Sequence, residues 1–184
     1  EGSVHVSRAK QKLEFPARFT LVAAMNPCPC GFYGDEKQEC RCSAYEVVRY
    51  TKKISGPLLD RIDLQIKVPR VAISDLQHQT SEQSESVAVR VRVERARHIQ
   101  QDRFGTAQVN LTTNSEMSSR QTEDLVHMDE SAKTFVAKLA SANLSPRSYY
   151  RLLKTARTIA DLEEHEQVSA THLAEAFSYR LKEG

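Results

Sequence analysis

The sequence has 184 residues, enough for one domain of ordinary size or two small ones, and its 40% hydrophobic content excludes wholesale disorder. Its 26 basic and 24 acidic side chains almost balance, so the chain as a whole does not indicate a nucleic-acid or membrane partner. The charge is uneven, however: residues 1–70 hold 12 basic and 8 acidic side chains, whereas residues 71–184 hold 14 and 16.

The chain begins with the pattern of a β-hairpin. Short segments with alternating apolar residues stand on both sides of a polar stretch at residues 8–11. The far end of this hairpin carries Arg8, Lys10 and Lys12, so the sequence predicts an exposed basic tip.

Strand and helix patterns then alternate. Residues 19–25 are continuously apolar, which predicts a strand buried on both faces of a parallel sheet. Apolar spacing between Ser43 and Leu59 allows a helix that breaks at Gly56, and residues 62–68 alternate as a second strand. Together these elements predict the later half of an α/β sheet domain rather than a complete one.

The rest of the chain favours helices. Residues 71–86 are polar and predict a linker, and residues 87–184 carry repeated apolar stripes at helical spacing, which predicts a small helical bundle. Side chains that can cap helix N-termini precede two of these stripes, Asp129 and Ser145, the latter followed by Pro146. A last helix is predicted to run from Ser169.

No apolar run approaches the roughly 20 residues that a helix needs to cross a bilayer. The first ten residues also lack the apolar middle of a signal peptide. We therefore expect a cytoplasmic protein without a membrane partner, in which disulfides are disfavoured.

All four cysteines fall in one short segment, as two C-x-C pairs at Cys28, Cys30, Cys40 and Cys42. Four thiolates on two short turns, with Gly31 and Gly34 supplying tight turns, match a tetrahedral zinc site, although zinc-binding pairs are more often separated by two to four residues. With all four positions taken by cysteine, such a zinc would be structural. A redox disulfide and a set of inert thiols are the alternatives.

Three polar residues stand where ligands are often bound. Asn26 follows the predicted buried strand, where open α/β sheets bind ligands, although an Asn-Pro pair also simply ends a strand. Arg61 precedes the second strand and can equally be solvated or paired with Asp60 or Asp63. Arg147 opens a helix, where a cation opposes the helix dipole and so indicates a bound anion, unless it is an ordinary surface arginine. The sequence contains no G-x-x-x-x-G-K-[S/T] phosphate loop.

Three longer motifs carry a resemblance to a known family. They are FPARFTLVAAMNPCPCG at residues 15–31, SGPLLDRIDL at residues 55–64 and LSPRSYYRLLKTARTIADL at residues 144–162. In this order they resemble the YifB/ComM family of magnesium-chelatase-like AAA+ ATPases. The resemblance implies the C-terminal part of an AAA+ P-loop α/β core at residues 1–70, a linker at 71–86 and an all-helical lid domain at 87–184. It also implies that the Walker A and Walker B segments lie upstream, so this piece alone would not hydrolyse ATP.

The family pattern further implies roles for single residues. Asn26 matches sensor 1, which orients the water that attacks the γ-phosphate. Arg61 matches the arginine finger, which reaches the nucleotide of the neighbouring subunit in a hexameric ring. Arg147 matches sensor 2 on the lid. The implied cofactors are ATP and Mg²⁺, with a structural zinc at the cysteines.

The resemblance also implies the kind of work that is done. The hairpin matches the pre-sensor 1 hairpin, whose Arg8, Lys10 and Lys12 would meet DNA phosphates in the pore of the ring. We therefore expect a DNA-acting ring motor, a helicase for branch migration in competence and recombination. One alternative is an ATPase subunit that drives magnesium into a porphyrin. Another is a zinc-stabilised nucleic-acid-binding module without enzymatic activity.

Overall fold

The computed structural model describes residues 2–8, 11–71, 82–139 and 144–180. It is a mixed α/β structure in which the described residues form one two-stranded sheet and seven α-helices. Contacts between residues divide the chain into two compact units, residues 1–53 and residues 54–184. Each unit is described by itself below.

The first unit opens with the predicted hairpin, which is confirmed. Strand β1 (Ser3–Arg8) pairs antiparallel with β2 (Gln11–Pro16), and Val6 lies opposite Leu13. Because side chains alternate across a strand, Arg8 shares the apolar face of the hairpin with Val6, while Lys12 lies on the other face. Both basic side chains are exposed near the tip, and Lys10 lies outside the described residues.

The two further predicted strands are not formed. Residues 19–25 and 62–68 have no regular secondary structure, and Val22 and Val68 are 90% and 82% exposed. A strand buried in a parallel sheet needs hydrogen-bonding neighbours at its edges. Among the described residues the only ladder joins β1 to β2, so these apolar segments have no sheet to enter.

Two short helices replace the single interrupted one that was predicted. Helix α1 (Ala44–Thr51) begins at the N-cap Ser43, whose backbone N–H donates to the carboxylate of Glu46 at 2.9 Å while its hydroxyl accepts from the Glu46 N–H at 3.3 Å. Helix α2 (Gly56–Leu59) belongs to the second unit. Gly56 and Pro57 start this helix instead of breaking one, because proline is favoured in the first turn, where its missing N–H costs nothing.

The second unit is built mainly of helices. They are α3 (Glu82–Thr106), a 3₁₀ turn (Asn114–Glu116), α4 (Ser119–Leu125), α5 (Glu130–Leu139), α6 (Pro146–Leu162) and α7 (Ala170–Ser178). Helix α3 begins at Glu82, inside the segment that was predicted as a linker, and α4 was not predicted. The predicted N-caps Asp129 and Ser145 are confirmed by side-chain hydrogen bonds, and the last helix starts directly after Ser169, as predicted.

Helix α6 is the centre of this bundle and packs against α3, α4, α7 and the 3₁₀ turn. Its apolar stripe is buried from Leu152 to Ala160, whereas Pro146 and Arg147 in the first turn are exposed and Ser148 is buried. The core around it consists of Phe104, Met117, Val126, Ala132, Leu152, Leu153, Ala156, Ile159, Ala160, Val168, Leu173 and Ala176.

A buried polar network joins α6 to α3 and to the 3₁₀ turn. Asp161 is completely buried and accepts hydrogen bonds from Arg157 Nε at 3.1 Å, Asn114 Nδ2 at 2.8 Å and Arg103 Nη1 at 3.2 Å. The Arg157 guanidinium is 1% exposed and also donates to the backbone carbonyl of Glu166 at 2.6 Å. Two arginines therefore neutralise one carboxylate inside the bundle.

In the part of the chain that the structure describes, no helix combines the length and apolar composition that a membrane span needs.

Candidate functional site

The four cysteines converge in the loop between β2 and α1. The Sγ atom of Cys28 lies 3.3 Å from that of Cys30 and 3.7 Å from that of Cys40, and all four sulfurs, including that of Cys42, are within 4.8 Å of one another. Four sulfurs at about 2.3 Å from a tetrahedral zinc ion are about 3.8 Å apart. The ligand set and the spacing therefore fit a four-cysteine zinc site.

Backbone N–H groups point at the cysteine sulfurs and favour their thiolate forms, whereas burial and the neighbouring thiols raise the pKa of Cys40 and raise that of Cys42 to about 12. The N–H groups of Phe32 and Arg41 point at the Cys30 sulfur and lower the pKa of this thiol to about 6. The Gly31 N–H donates to the carbonyl of Cys28 at 3.1 Å and closes a tight turn, in which Gly31 has a φ of +86° that favours glycine. The fit to a thiolate-binding metal thus extends beyond the four side chains.

Asn26 lies two residues before the first cysteine, in the segment without regular secondary structure. Its side chain is exposed, and its amide lies close to the cysteine turn. A methyl group placed on Gly31 would be 3.9 Å from Asn26 Nδ2. Asn26 is therefore a near neighbour of the turn at Gly31. Its role as sensor 1 stays a prediction.

Arg61 follows helix α2 with its side chain exposed, and Arg61 Nη1 donates to the carbonyl of Pro57 at 2.9 Å. The neighbouring carboxylates are bound by other arginines. Asp60 Oδ1 accepts from Arg180 Nη2 at 2.8 Å, and Asp63 Oδ1 lies 3.3 Å from Arg151 Nη1. The carboxylates that were the alternative partners of Arg61 are thus bound elsewhere.

Arg147 is the second residue of α6, and its side chain is exposed. The helix starts where predicted, since Ser145 Oγ accepts from the Ser148 N–H at 3.1 Å. The next hydroxyl makes a long-range contact: Ser148 Oγ donates to Asp60 Oδ1 at 2.6 Å. The residues adjacent to Arg61 and Arg147 in the chain are therefore in direct contact.

Sequence reasoning did not identify Ser148 or Arg180 as partners of Asp60. These residues are 88 and 120 positions away from Asp60, and neither belongs to a pattern with its own periodicity. The only available signal was indirect, since Asp60 and Ser148 each lie next to an arginine that the family motifs single out.

A second cluster of side chains that could bind a metal consists of Glu163, His165 and His172, and its hydrogen bonds give it a structural role. His172 is buried at the start of α7, and its Nδ1 accepts from the backbone N–H of Ser169 at 3.0 Å. This hydrogen bond leaves the proton of neutral His172 on Nε2, which faces Glu163 Oε2 at 3.0 Å and His165 Nδ1 at 3.2 Å. The cluster caps α7 and ties it to the end of α6.

Comparisons with known proteins agree with this assembly of motifs. The family model described as magnesium chelatase, subunit ChlI, matches residues 1–76, and the model of the C-terminal region of the same subunit matches residues 81–180. The chain is 41% identical to the competence protein ComM of Haemophilus influenzae, 40% to the uncharacterized protein YifB of Salmonella typhimurium and 38% to YifB of Escherichia coli.

Each of these matches covers 97% of this chain. The chain spans about a third of the length of these curated relatives, 34% in each case. Two consecutive family models and similarity to three relatives over 97% of this chain lead to one conclusion. The chain belongs to the magnesium-chelatase-like AAA+ family that includes ComM and YifB.

Proposed function

We propose that this chain supplies Asn26 as sensor 1, Arg61 as arginine finger and Arg147 as sensor 2 to an AAA+ ATPase that works as a ring-shaped DNA motor. ATP and Mg²⁺ would bind with the help of a phosphate loop outside this sequence, because the chain itself contains no such motif. On its own the chain would not hydrolyse ATP. We expect the ring to act in the cytoplasm.

The environment of Arg61 carries this proposal. An arginine finger must present an uncompensated guanidinium to a nucleotide on another subunit, where it stabilises charge that develops on the transferred phosphoryl group. Arg61 is exposed, and the adjacent carboxylates of Asp60 and Asp63 are bound by Arg180 and Arg151. A guanidinium that is not neutralised by its own segment is available to an incoming phosphate.

The proposed domain organisation follows the family pattern: an AAA+ core at residues 1–70, a linker at 71–86 and a lid at 87–184. The junction between the two matching family models, at residues 76 and 81, supports a boundary in this region. In this arrangement six copies of the longer protein, each containing this chain, would form the ring.

DNA is the proposed substrate because of the hairpin. Arg8 and Lys12 are exposed at its tip on opposite faces, so they could meet phosphates on either side of an inserted hairpin. We include Lys10 on the strength of the sequence alone. The name of one relative, competence protein ComM, also supports a role connected with competence.

Zinc would have a structural role at Cys28, Cys30, Cys40 and Cys42. Four cysteine ligands leave no coordination position for water, so the metal would fix the loop rather than activate a substrate. Because Asn26 lies against this loop, the metal would also hold the proposed sensor 1 residue in place.

A second candidate function is the insertion of magnesium into a porphyrin. It is supported by the description of both family models, which are those of a magnesium chelatase subunit. The two functions require different surfaces. A DNA motor needs the basic tip of the hairpin, whereas a chelatase motor has no need for phosphate contacts at this position.

DNA binding by this chain tests the proposal directly. We would measure the fluorescence anisotropy of labelled single-stranded and branched DNA over a range of salt concentrations. Replacing both Arg8 and Lys12 by alanine should weaken binding and make the slope of log K against log [salt] shallower by about 1.4 to 1.8, since two phosphate contacts are lost.

The matched control is Arg120→Ala, which removes one exposed basic side chain from helix α4 in the other unit. This control should leave binding and its salt slope unchanged. If the hairpin variant binds DNA as the unaltered chain does, the assignment of DNA to the hairpin is wrong. That result would favour the chelatase alternative, which a porphyrin-binding titration with the same variants would test.

A further inference from the structure

A closed set of hydrogen bonds joins the end of helix α2 to the first turn of α6 and the end of α7. Asp60 Oδ1 accepts from Ser148 Oγ at 2.6 Å and from Arg180 Nη2 at 2.8 Å. The same Arg180 Nη2 lies 3.0 Å from Ser148 Oγ, and Arg180 Nη1 donates to the Ser148 carbonyl at 3.3 Å. We call Asp60, Ser148 and Arg180 the Asp60 clamp.

The same segment is attached at further points. Arg151, one turn along α6, donates to the backbone carbonyl of Asp60 at 3.1 Å and pairs with Asp63 at 3.3 Å. The backbone N–H of Gln65 donates to the carbonyl of Tyr179 at 2.8 Å. Residues 60–65 are therefore fixed to the helical bundle at both ends, although the family pattern assigns them to the AAA+ core.

The clamp is sheltered and charge-assisted. Ser148 is 5% exposed, and the side chains of Arg180 and Asp60 are 15% and 36% exposed. The hydrogen bond from Ser148, together with the charges of Arg180 and Arg151, lowers the pKa of Asp60, so the carboxylate is ionised at neutral pH. Hydrogen bonds to an ionised group are stronger than those between neutral groups, so these contacts hold the short segment in place.

The clamp lies one residue away from two exposed arginines. Arg61 follows Asp60 in the chain, and Arg147 precedes Ser148, yet neither side chain makes one of the clamp contacts given above. Any shift of the first turn of α6 would therefore displace the segment that bears Arg61.

We propose that Asp60, Ser148 and Arg180 are positioning residues that make the arginine finger Arg61 and the sensor 2 residue Arg147 move as one unit. The roles of the two arginines in this inference rest on the proposed function. The contacts of the Asp60 clamp do not depend on it. A nucleotide event that moves the lid through Arg147 would change the reach of Arg61 at once. The clamp thereby links the lid directly to the segment that bears Arg61.

The mechanical part is tested on this chain by hydrogen exchange. In Ser148→Ala and Asp60→Asn, the backbone amides of residues 60–62, which are hydrogen-bonded to the α2 turn, should exchange at least about tenfold faster, because a charge-assisted bond is lost. Thr134→Ala is the matched control, since it removes a hydroxyl that bonds only within the exposed face of α5. Unchanged exchange in both clamp variants would overturn the inference.

The functional part is tested in a longer polypeptide that joins this chain to its phosphate loop. Ser148→Ala should lower kcat with little change in nucleotide affinity. It should have no further effect in an Arg61→Lys background, in which a cation keeps turnover measurable, because its action passes through the guanidinium of Arg61. Thr134→Ala should leave turnover unchanged. Losses that multiply in the double variant would overturn the inference. If Arg61→Ala itself leaves hydrolysis intact, the proposed function fails, and the exchange experiment still decides whether the clamp exists.

Discussion

Neutralising Asp161 is predicted to destabilise the helical bundle more than any change at an exposed ion pair. The Asp161 carboxylate is completely buried and is the counter-ion of Arg157, which is itself 1% exposed. Burial lowers the pKa of Arg157, and Asp161 opposes this effect. Asp161→Asn preserves the size of the side chain but leaves a buried guanidinium without its full counter-charge.

The expected cost is about 3–5 kcal/mol, the range for breaking a buried pair by removing one partner. With a urea m-value of about 2 kcal/mol/M, the midpoint of unfolding should fall by about 1.5–2.5 M. Far-UV circular dichroism in urea measures this shift. If Asp161→Asn fails to fold, Arg103→Gln gives a milder version, because Arg103 is 17% exposed and Arg157 still neutralises the carboxylate.

Glu130→Gln is the matched control. It removes the charge of a carboxylate that is 89% exposed and paired with Lys133 on α5, so it should cost less than about 1 kcal/mol. The reasoning is refuted if Asp161→Asn unfolds within about 1 kcal/mol of the unaltered chain, since the buried network would then contribute no more than a surface pair.

Three further predictions concern the metal, the nucleotide and pH. Elemental analysis of protein purified under reducing conditions should find about one zinc per chain, lost in Cys40→Ser; metal-free protein would contradict the proposed site. Phosphate release from ATP by this chain alone should not exceed background, and turnover that survives removal of contaminants would oppose the assignment. The pKa of Asp60 is lowered by Ser148 and Arg180, so its stabilising effect is complete above the ordinary value of about 3.9 and is lost as the pH falls through the lower folded value. In Asp60→Asn the unfolding midpoint should therefore depend less on pH in the acid range than it does in the unaltered chain. An unchanged pH dependence would argue against the contact.

Helices were predictable because their signals are local. The capping side chain, the proline of the first turn and the apolar stripe of α6 all lie within one stretch of sequence, and the structure confirms the helix from Pro146 to Leu162. The strands at residues 19–25 and 62–68 were predicted from a continuous apolar run and from an alternating pattern, and neither pattern identifies a neighbouring strand. Strands are stabilised by neighbours, and no strand pairs with either segment in the described part of the chain.

The residues of the candidate site also differ in how far they could be predicted from the sequence. The cysteine cluster could be predicted because its members lie within 15 residues and share one chemistry. The contacts of Asp60 could not, because Ser148 and Arg180 are brought to it by the packing of α6 and α7. The sequence indicated only that Arg61 had two carboxylates nearby, and both are bound by other arginines.

Arg61 is proposed to act on a nucleotide held by a neighbouring subunit. The most direct test mixes two variants of a longer polypeptide that contains this chain and a phosphate loop, one with Arg61→Ala and one without the phosphate-loop lysine. Each variant alone should be nearly inactive, because an arginine finger contributes on the order of 10³ to 10⁵ in rate.

In the mixture, an intact phosphate loop can meet an intact Arg61 at some interfaces, so steady-state ATP hydrolysis should recover in part. Arg120→Ala mixed with the same loop variant is the control for dilution and assembly. A mixture that stays inactive although both variants assemble into the same rings would contradict the account, and Arg61 would then be a residue of the α2 turn without a role in catalysis.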